Sequence, residues 1–185
     1  MEKNNKIPAR QLLIYLIIYW GVMAYGLDLI QAQASQVLPY MRWLKDPSGW
    51  DLDLMGMTFP FYMDYSIWYI PFKWLGAVFP SMLVVHIYFL AQCTLEVFGL
   101  YFLASRIFSD KKPVFSWSVI ILFTFCGALR HSLGSVAPFG WTVFPDTMTT
   151  SVLLFSLGYF FEKKLIPAVL IAAFSFNIHL SITLF

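Results

Sequence analysis

Five apolar runs dominate this chain, at residues 11–27, 81–105, 113–129, 145–161 and 165–185. Each holds roughly 17 to 25 residues, and at about 1.5 Å rise per residue a helix of that length crosses a hydrocarbon layer about 30 Å thick, with some tilt or local thinning. The fold expected from this pattern is all-α: a polytopic helical membrane protein of about five transmembrane helices, with a long outer loop, 28–80, between the first and second. The last run reaches Phe185 with no polar residue after it to mark a membrane exit. The 185 residues are therefore expected to form a single transmembrane helical domain that is the N-terminal part of a longer chain.

Composition agrees with lipid as the solvent. Only 12% of residues are charged, 59% are hydrophobic, and 19% are aromatic, against about 25% charged in soluble domains. So few charges do not cover a globular surface. The formal net charge of +2 is too small to point to nucleic acid. Cys93 and Cys126 both lie inside apolar runs, which argues for packing rather than a disulfide. The basic segment 1–10 precedes the first run, but no small-x-small cleavage site closes that run cleanly, so it reads as an uncleaved helix.

Short loops rich in Lys and Arg stay cytoplasmic. With the N-terminus inside, eight of the 12 basic residues are cytoplasmic: Lys3, Lys6, Arg10, Arg106, Lys111, Lys112, Lys163 and Lys164. Arg42, Lys45, Lys73 and Arg130 are then outside, together with Asp28, Asp46, Asp51, Asp53, Asp64 and Asp146. The expected location is the plasma (inner) membrane, N-terminus cytoplasmic.

The outer loop carries Trp43, Trp50, Phe59, Phe61, Tyr62, Tyr65, Trp68, Tyr69, Phe72 and Trp74, too many aromatics for a disordered tether. Trp and Tyr at this density belong at the headgroup level. Two amphipathic interfacial helices are expected there, one at 29–44 and one at 62–75 interrupted at Pro71. Between them lies Lys45-Asp46-Pro47-Ser48-Gly49-Trp50-Asp51-Leu52-Asp53, a turn that presents three carboxylates together. Asp51 and Asp53 are close enough in sequence to share a divalent cation such as Mg or Mn, or to supply a general base. The competing reading is an ordinary turn, because Asp also bonds its own backbone there.

A second polar set lies within the runs. Glu96 sits near the middle of 81–105, with Gln92 one turn earlier on the same face and His86 further back and to one side. An ionised group at the bilayer centre costs at least about 2.5 kcal/mol, so Glu96 is expected to face protein or water, or to be protonated. Its structural reading is an interhelical hydrogen bond. On the outer side, 130–144 mixes Gly and Pro breaks with apolar residues, the pattern of a loop dipping against the bundle. Arg130 and His131 there, with Arg42 and with His179 of the last run, are candidates for holding a lipid phosphate. The simpler reading of Arg130 is a side chain snorkelling to the interface.

The order of first helix, long acidic outer loop with amphipathic helices, and closely spaced crossings resembles the N-terminal half of bacterial polytopic proteins related to the GT-C glycosyltransferases. Residues 36–48, Gln-Val-Leu-Pro-Tyr-Met-Arg-Trp-Leu-Lys-Asp-Pro-Ser, resemble a stretch in that group where a helix approaches an Asp-Pro turn just before further Asp residues. Phe144-Pro145-Asp146, the short basic loop after it, and Asn177-Ile178-His179 are also similar; in those proteins the His precedes a Pro, and here Leu180 follows it. The resemblance implies transfer of a sugar from a polyprenyl-phosphate donor to an acceptor on the outer face. It implies a catalytic acidic residue in the first outer loop, for which Asp51 and Asp53 fit, with Asp28 as a rival. The implied partners are membrane lipids and the polyprenyl-phosphate sugar.

The alternative is a non-enzymatic membrane subunit that packs against partner subunits, or a small transport protein using Glu96 and its polar face. Gly21, Ala24 and Gly26, and the Gly, Ser and Ala content of the later helices, would permit close helix packing in either case. No Gly-x-Ser-x-Gly, phosphate-binding Gly-Lys-Ser/Thr, His-Glu-x-x-His or dinucleotide motif points to another enzyme class.

Overall fold

A computed structural model describes residues 7–26, 41–42, 44–46, 48, 67, 70–108, 113–129 and 145–178. Among these the chain is all-helical, with six helices and no strand. They are α1 (Ala9–Gly26), α2 (Ile70–Val78), α3 (Ser81–Ile107), α4 (Pro113–Leu129), α5 (Pro145–Phe161) and α6 (Leu165–Ile178). The expected boundaries hold within two residues for the described part of each run; 179–185, the end of the last one, lies outside the described residues.

Proline sets several of the starts. Pro113 and Pro145 open α4 and α5, and Pro167 lies in the first turn of α6. A proline there loses nothing, since those N–H groups have no partner within the helix. The same rule covers Pro71, the second residue of α2, which runs on through Val78; the part of the expected helix before it, 62–66 and 68–69, lies outside the described residues.

α3, with 27 residues, is the axis of the fold. It packs most extensively against α5 and also touches α1, α2 and α4, while α6 packs on α5. Its buried positions include Val85, Phe89, Gln92, Cys93, Glu96, Gly99 and Leu100, a broad strip at helical spacing. α1 contributes Leu12, Leu16 and Tyr19 at i, i+4 and i+7, and turns Leu13, Ile14, Ile17, Ile18 and Val22 outward.

Close approach occurs at glycines of the later helices, as expected there, and not at Gly21. Gly21 has nothing within 4 Å of where a side chain would begin. Gly99 on α3 meets the Ser151 carbonyl and Leu154 of α5 at 3.0 Å, and Gly158 on α5 lies directly against the Phe102 ring of α3. Hydroxyls tie the remaining seam, with Ser156 Oγ donating to the Ala168 carbonyl of α6 at 2.7 Å. Cys93 is a free, buried thiol, as the apolar run predicts.

The α5–α6 connection is a tight Schellman turn. Lys164 N–H reaches the Tyr159 carbonyl (3.0 Å) and Lys163 N–H reaches that of Phe160 (2.9 Å). Lys163 sits at the left-handed position, φ 60°, where glycine is usual. Above this turn Arg106, at the end of α3, pairs with Glu162, whose second oxygen takes Lys164 at 2.9 Å. Arg106 also lies 4.5 Å over the Phe102 ring. At the opposite end, Ile67 N–H donates to the Asn177 carbonyl at the end of α6. The basic termini of α3 and α5 thus share one end of the bundle, and the approach to α2 shares the other with the end of α6.

Candidate functional site

The polar atoms of the helical runs converge where α1, α3 and α4 meet. Glu96 and Gln92, one turn apart on α3, are each 1% exposed. The spacing that put them on one face in the sequence is what aims both at the interior. Tyr19 of α1 donates its hydroxyl proton to Glu96, at 3.1 Å from each carboxylate oxygen. One turn earlier Tyr15 stacks on Tyr19, ring centroids 6.1 Å apart, and packs edge-on against Trp117 of α4 at 5.4 Å.

Tyr15 also bonds Thr124 of α4, 2.5 Å between the oxygens. The Thr124 hydroxyl is 2.7 Å from the Ile120 carbonyl, which takes its single hydrogen, so Tyr15 is the donor in the Tyr15–Thr124 bond. α1 is therefore attached to both neighbours by phenol hydroxyls, to α3 through Tyr19 and to α4 through Tyr15. Glu96 faces protein, as expected, and its structural reading as an interhelical bond is the one seen. Tyr15, Tyr19 and Thr124 were not singled out in the sequence. The signal was present, since two tyrosines four apart in an otherwise apolar run put two hydroxyls on one helix face.

His86 lies nearly three turns before Glu96 and is not part of this seam. It is half-buried near the start of α3, and its Nδ1 has no hydrogen-bond partner among the described residues. Arg42 is exposed on a helical turn whose carbonyl takes the Asp46 N–H at 3.0 Å. Asp46 follows the ordinary-turn reading: its Oδ1 accepts from Ser48 N–H (3.2 Å) and Ser48 Oγ (2.6 Å). Asp28, Asp51, Asp53, Arg130, His131 and His179 lie outside the described residues. No group of three His, Cys, Asp or Glu among the described residues is placed to hold a metal ion.

Chemically, the seam offers one carboxylate and two phenols packed among apolar and aromatic groups. Such an arrangement orients helices, and its burial leaves no route for a substrate to the Glu96 oxygens among the described residues. No protein-family model matches this chain, and no curated protein and no solved structure matches it, so its own residues carry the functional reading.

Proposed function

We propose that the chain is a polytopic integral protein of the plasma (inner) membrane, N-terminus cytoplasmic, and that its outer segment 28–80 carries a GT-C-like glycosyltransferase activity. The observation that carries the membrane part is the inside-out placement of polarity. Glu96, Gln92, Thr124, Thr149, Ser151 and Ser175 are buried, while Ile17 is 66%, Ile166 77% and Val169 65% exposed. Water-soluble monomers rarely leave apolar surface of that extent uncovered, whereas lipid favours it. α3 is long and apolar enough to span by length and composition; α1, α4, α5 and α6, at 18, 17, 17 and 14 described residues, pack around or beside it.

The transferase part rests on the acidic, aromatic character of 28–80 and on its resemblance to the GT-C group. In this reading Asp51 or Asp53, with Asp28 as the rival, takes the proton from an acceptor hydroxyl. The acceptor oxygen bonds the sugar's anomeric carbon, and the polyprenyl phosphate departs with the electron pair of the broken bond. Asp51 and Asp53 would hold a divalent cation, Mg or Mn, which would supply charge for the departing phosphate. Arg42, Arg130, His131 and His179 would bind that phosphate.

The second reading, a partner-dependent subunit or small transport protein, is favoured by the burial of Glu96 in the midst of α3. The two separate by assay in membranes supplied with labelled polyprenyl-phosphate sugars. Asp51→Asn and Asp53→Asn abolish transfer and Glu96→Gln preserves it if the outer segment does the chemistry. Absence of transfer by the unaltered chain would overturn the transferase reading, and intact transfer in both Asp variants would overturn the assignment of Asp51 and Asp53.

A further inference from the structure

Beside the axis helix, α2 presents a second apolar face that no described element covers. Phe72 and Gly76 are buried, Phe72 stacking on Tyr88 of α3 with ring centroids 3.8 Å apart, and the Met41 methyl lies 3.0 Å from where a side chain on Gly76 would begin. Ile70, Trp74 and Val78, at i, i+4 and i+8, point outward and are 47%, 73% and 76% exposed. Lys73 is the only charged residue in the nine. Phe79 and, on α3, Met82, Leu83, Ile87 and Leu90 are exposed as well.

The chain geometry fixes how α2 is set. Only Phe79 and Pro80 separate α2 from α3, and Pro80 is extended (φ −57°, ψ 139°), which makes a sharp corner. Phe72 lies eight residues before Pro80 and its partner Tyr88 eight after it, so α2 folds back along the first two turns of α3. The 27 residues of α3 measure about 40 Å, which exceeds a hydrocarbon core of about 30 Å and matches a bilayer with its headgroups. Counting about 20 residues back from Arg106, at the basic end, for the hydrocarbon reaches His86. The stretch 81–86 and the helix folded against it then lie at the level of the opposite headgroups.

We propose that α2 is an interfacial helix of the outer leaflet, with Ile70, Trp74 and Val78 in contact with lipid at the boundary of headgroups and acyl chains and Lys73 on a lipid phosphate. Two features agree on that occupant: the overhang of α3, and the Lys73-Trp74 pair beside exposed Ile70 and Val78, since Trp prefers that boundary and a neighbouring ammonium reaches the headgroups from it. This rests on the membrane reading but not on the transferase one.

The test uses the full chain in phosphatidylethanolamine/phosphatidylglycerol vesicles, with Cys93→Ser and Cys126→Ser as background. Nitroxide labels at Ile70→Cys and Val78→Cys report depth through the ratio of collisions with oxygen and with a water-soluble nickel chelate; Leu122→Cys on α4, 59% exposed, is the reference. The expected result is oxygen excess at both α2 sites, intermediate between Leu122 and water, with Ile70 deeper than Val78. Oxygen excess at Leu122 with nickel excess at both α2 sites would overturn this inference alone, as would labels at Ile70 and Val78 shielded from both reagents, the sign of a protein partner. Nickel excess at Leu122 would overturn the membrane reading itself.

Discussion

Tyr19→Phe deletes one hydroxyl and leaves the rest of the seam in place, including the ring stack on Tyr15. The Tyr19 hydroxyl has a single hydrogen shared between two carboxylate oxygens, each at 3.1 Å, so it counts as one hydrogen bond rather than two. Between helices solvated by lipid such a bond is worth about 0.6 kcal/mol on average and about 1.7 at most. Orphaning a buried acceptor adds its lost pairing, for about 1–3 kcal/mol in all. The expected destabilisation is therefore about 1–2 kcal/mol. Glu96→Gln keeps an acceptor for Tyr19 and is expected to cost less than about 1 kcal/mol. Glu96→Leu combined with Tyr19→Phe removes both partners, and the pair is expected to cost less than the sum of its single changes by at least about 0.6 kcal/mol. Reversible unfolding in dodecylmaltoside with increasing SDS, followed by helical circular dichroism, measures all four corners of the cycle. Additivity within about 0.3–0.5 kcal/mol would refute the assignment of Tyr19–Glu96 as the α1–α3 lock.

Three further outcomes are expected. Gly158→Ala drives a methyl into the Phe102 ring, which is boxed by Phe155, Tyr159 and Arg106; the cost is about 1–3 kcal/mol, read as a lower melting temperature that Phe102→Leu partly restores. Lys163→Gly relieves a side chain held at φ 60°, and a gain of about 1 kcal/mol in thermal stability is expected. The Glu162 carboxyl is held below its ordinary value, first by the hydrogen bond from Lys164 and also by the Arg106 charge. A lowered carboxyl stabilises the fold above its unfolded value and loses that contribution as pH falls through its folded one, so melting curves taken from pH 7 to pH 3 fall more steeply for the wild type than for Glu162→Gln.

Helix placement was legible because period and length act locally. The runs at 113–129 and 145–161 coincide with α4 and α5, each opened by a proline that the next turn tolerates. Pro71 shows that one residue type both breaks a helix interior and begins a helix well; here it stands in the first turn of α2. Glu96 and Gln92 were legible as an inward pair because their four-residue spacing fixes their common face. Their partner was not, since a contact 77 residues away depends on which face α1 turns to α3, and no local pattern encodes that rotation. Gly21 was read as a packing glycine for the same reason; its face of α1 is the uncovered one.

The two sides of α3 are held by different chemistry, and the proposed membrane setting would account for it. In water, burying Leu and Val would draw α5 and α6 onto α3 without further help. Lipid tails are as apolar as those side chains, so helices adhere through close approach of backbones and through interhelical hydrogen bonds. α5 uses the first device, at Gly99 against the Ser151 carbonyl and at Gly158 against Phe102, and reinforces it at its end with Arg106, Glu162 and Lys164. α1 uses the second, hanging on Tyr19–Glu96 and Tyr15–Thr124 while turning Ile17 and Ile18 outward. The first device spreads over a long, shape-matched surface; the second concentrates on two hydroxyls. α1 is consequently the helix that can leave the axis while α3, α5 and α6 stay assembled. Removing both phenols, Tyr15→Phe with Tyr19→Phe, should release it without melting the rest, seen as an early loss of the Trp20 and Trp117 environment ahead of the main loss of helix. A single coincident transition in that variant would mean that α1 is held by its apolar face, and that the solvent outside it is water.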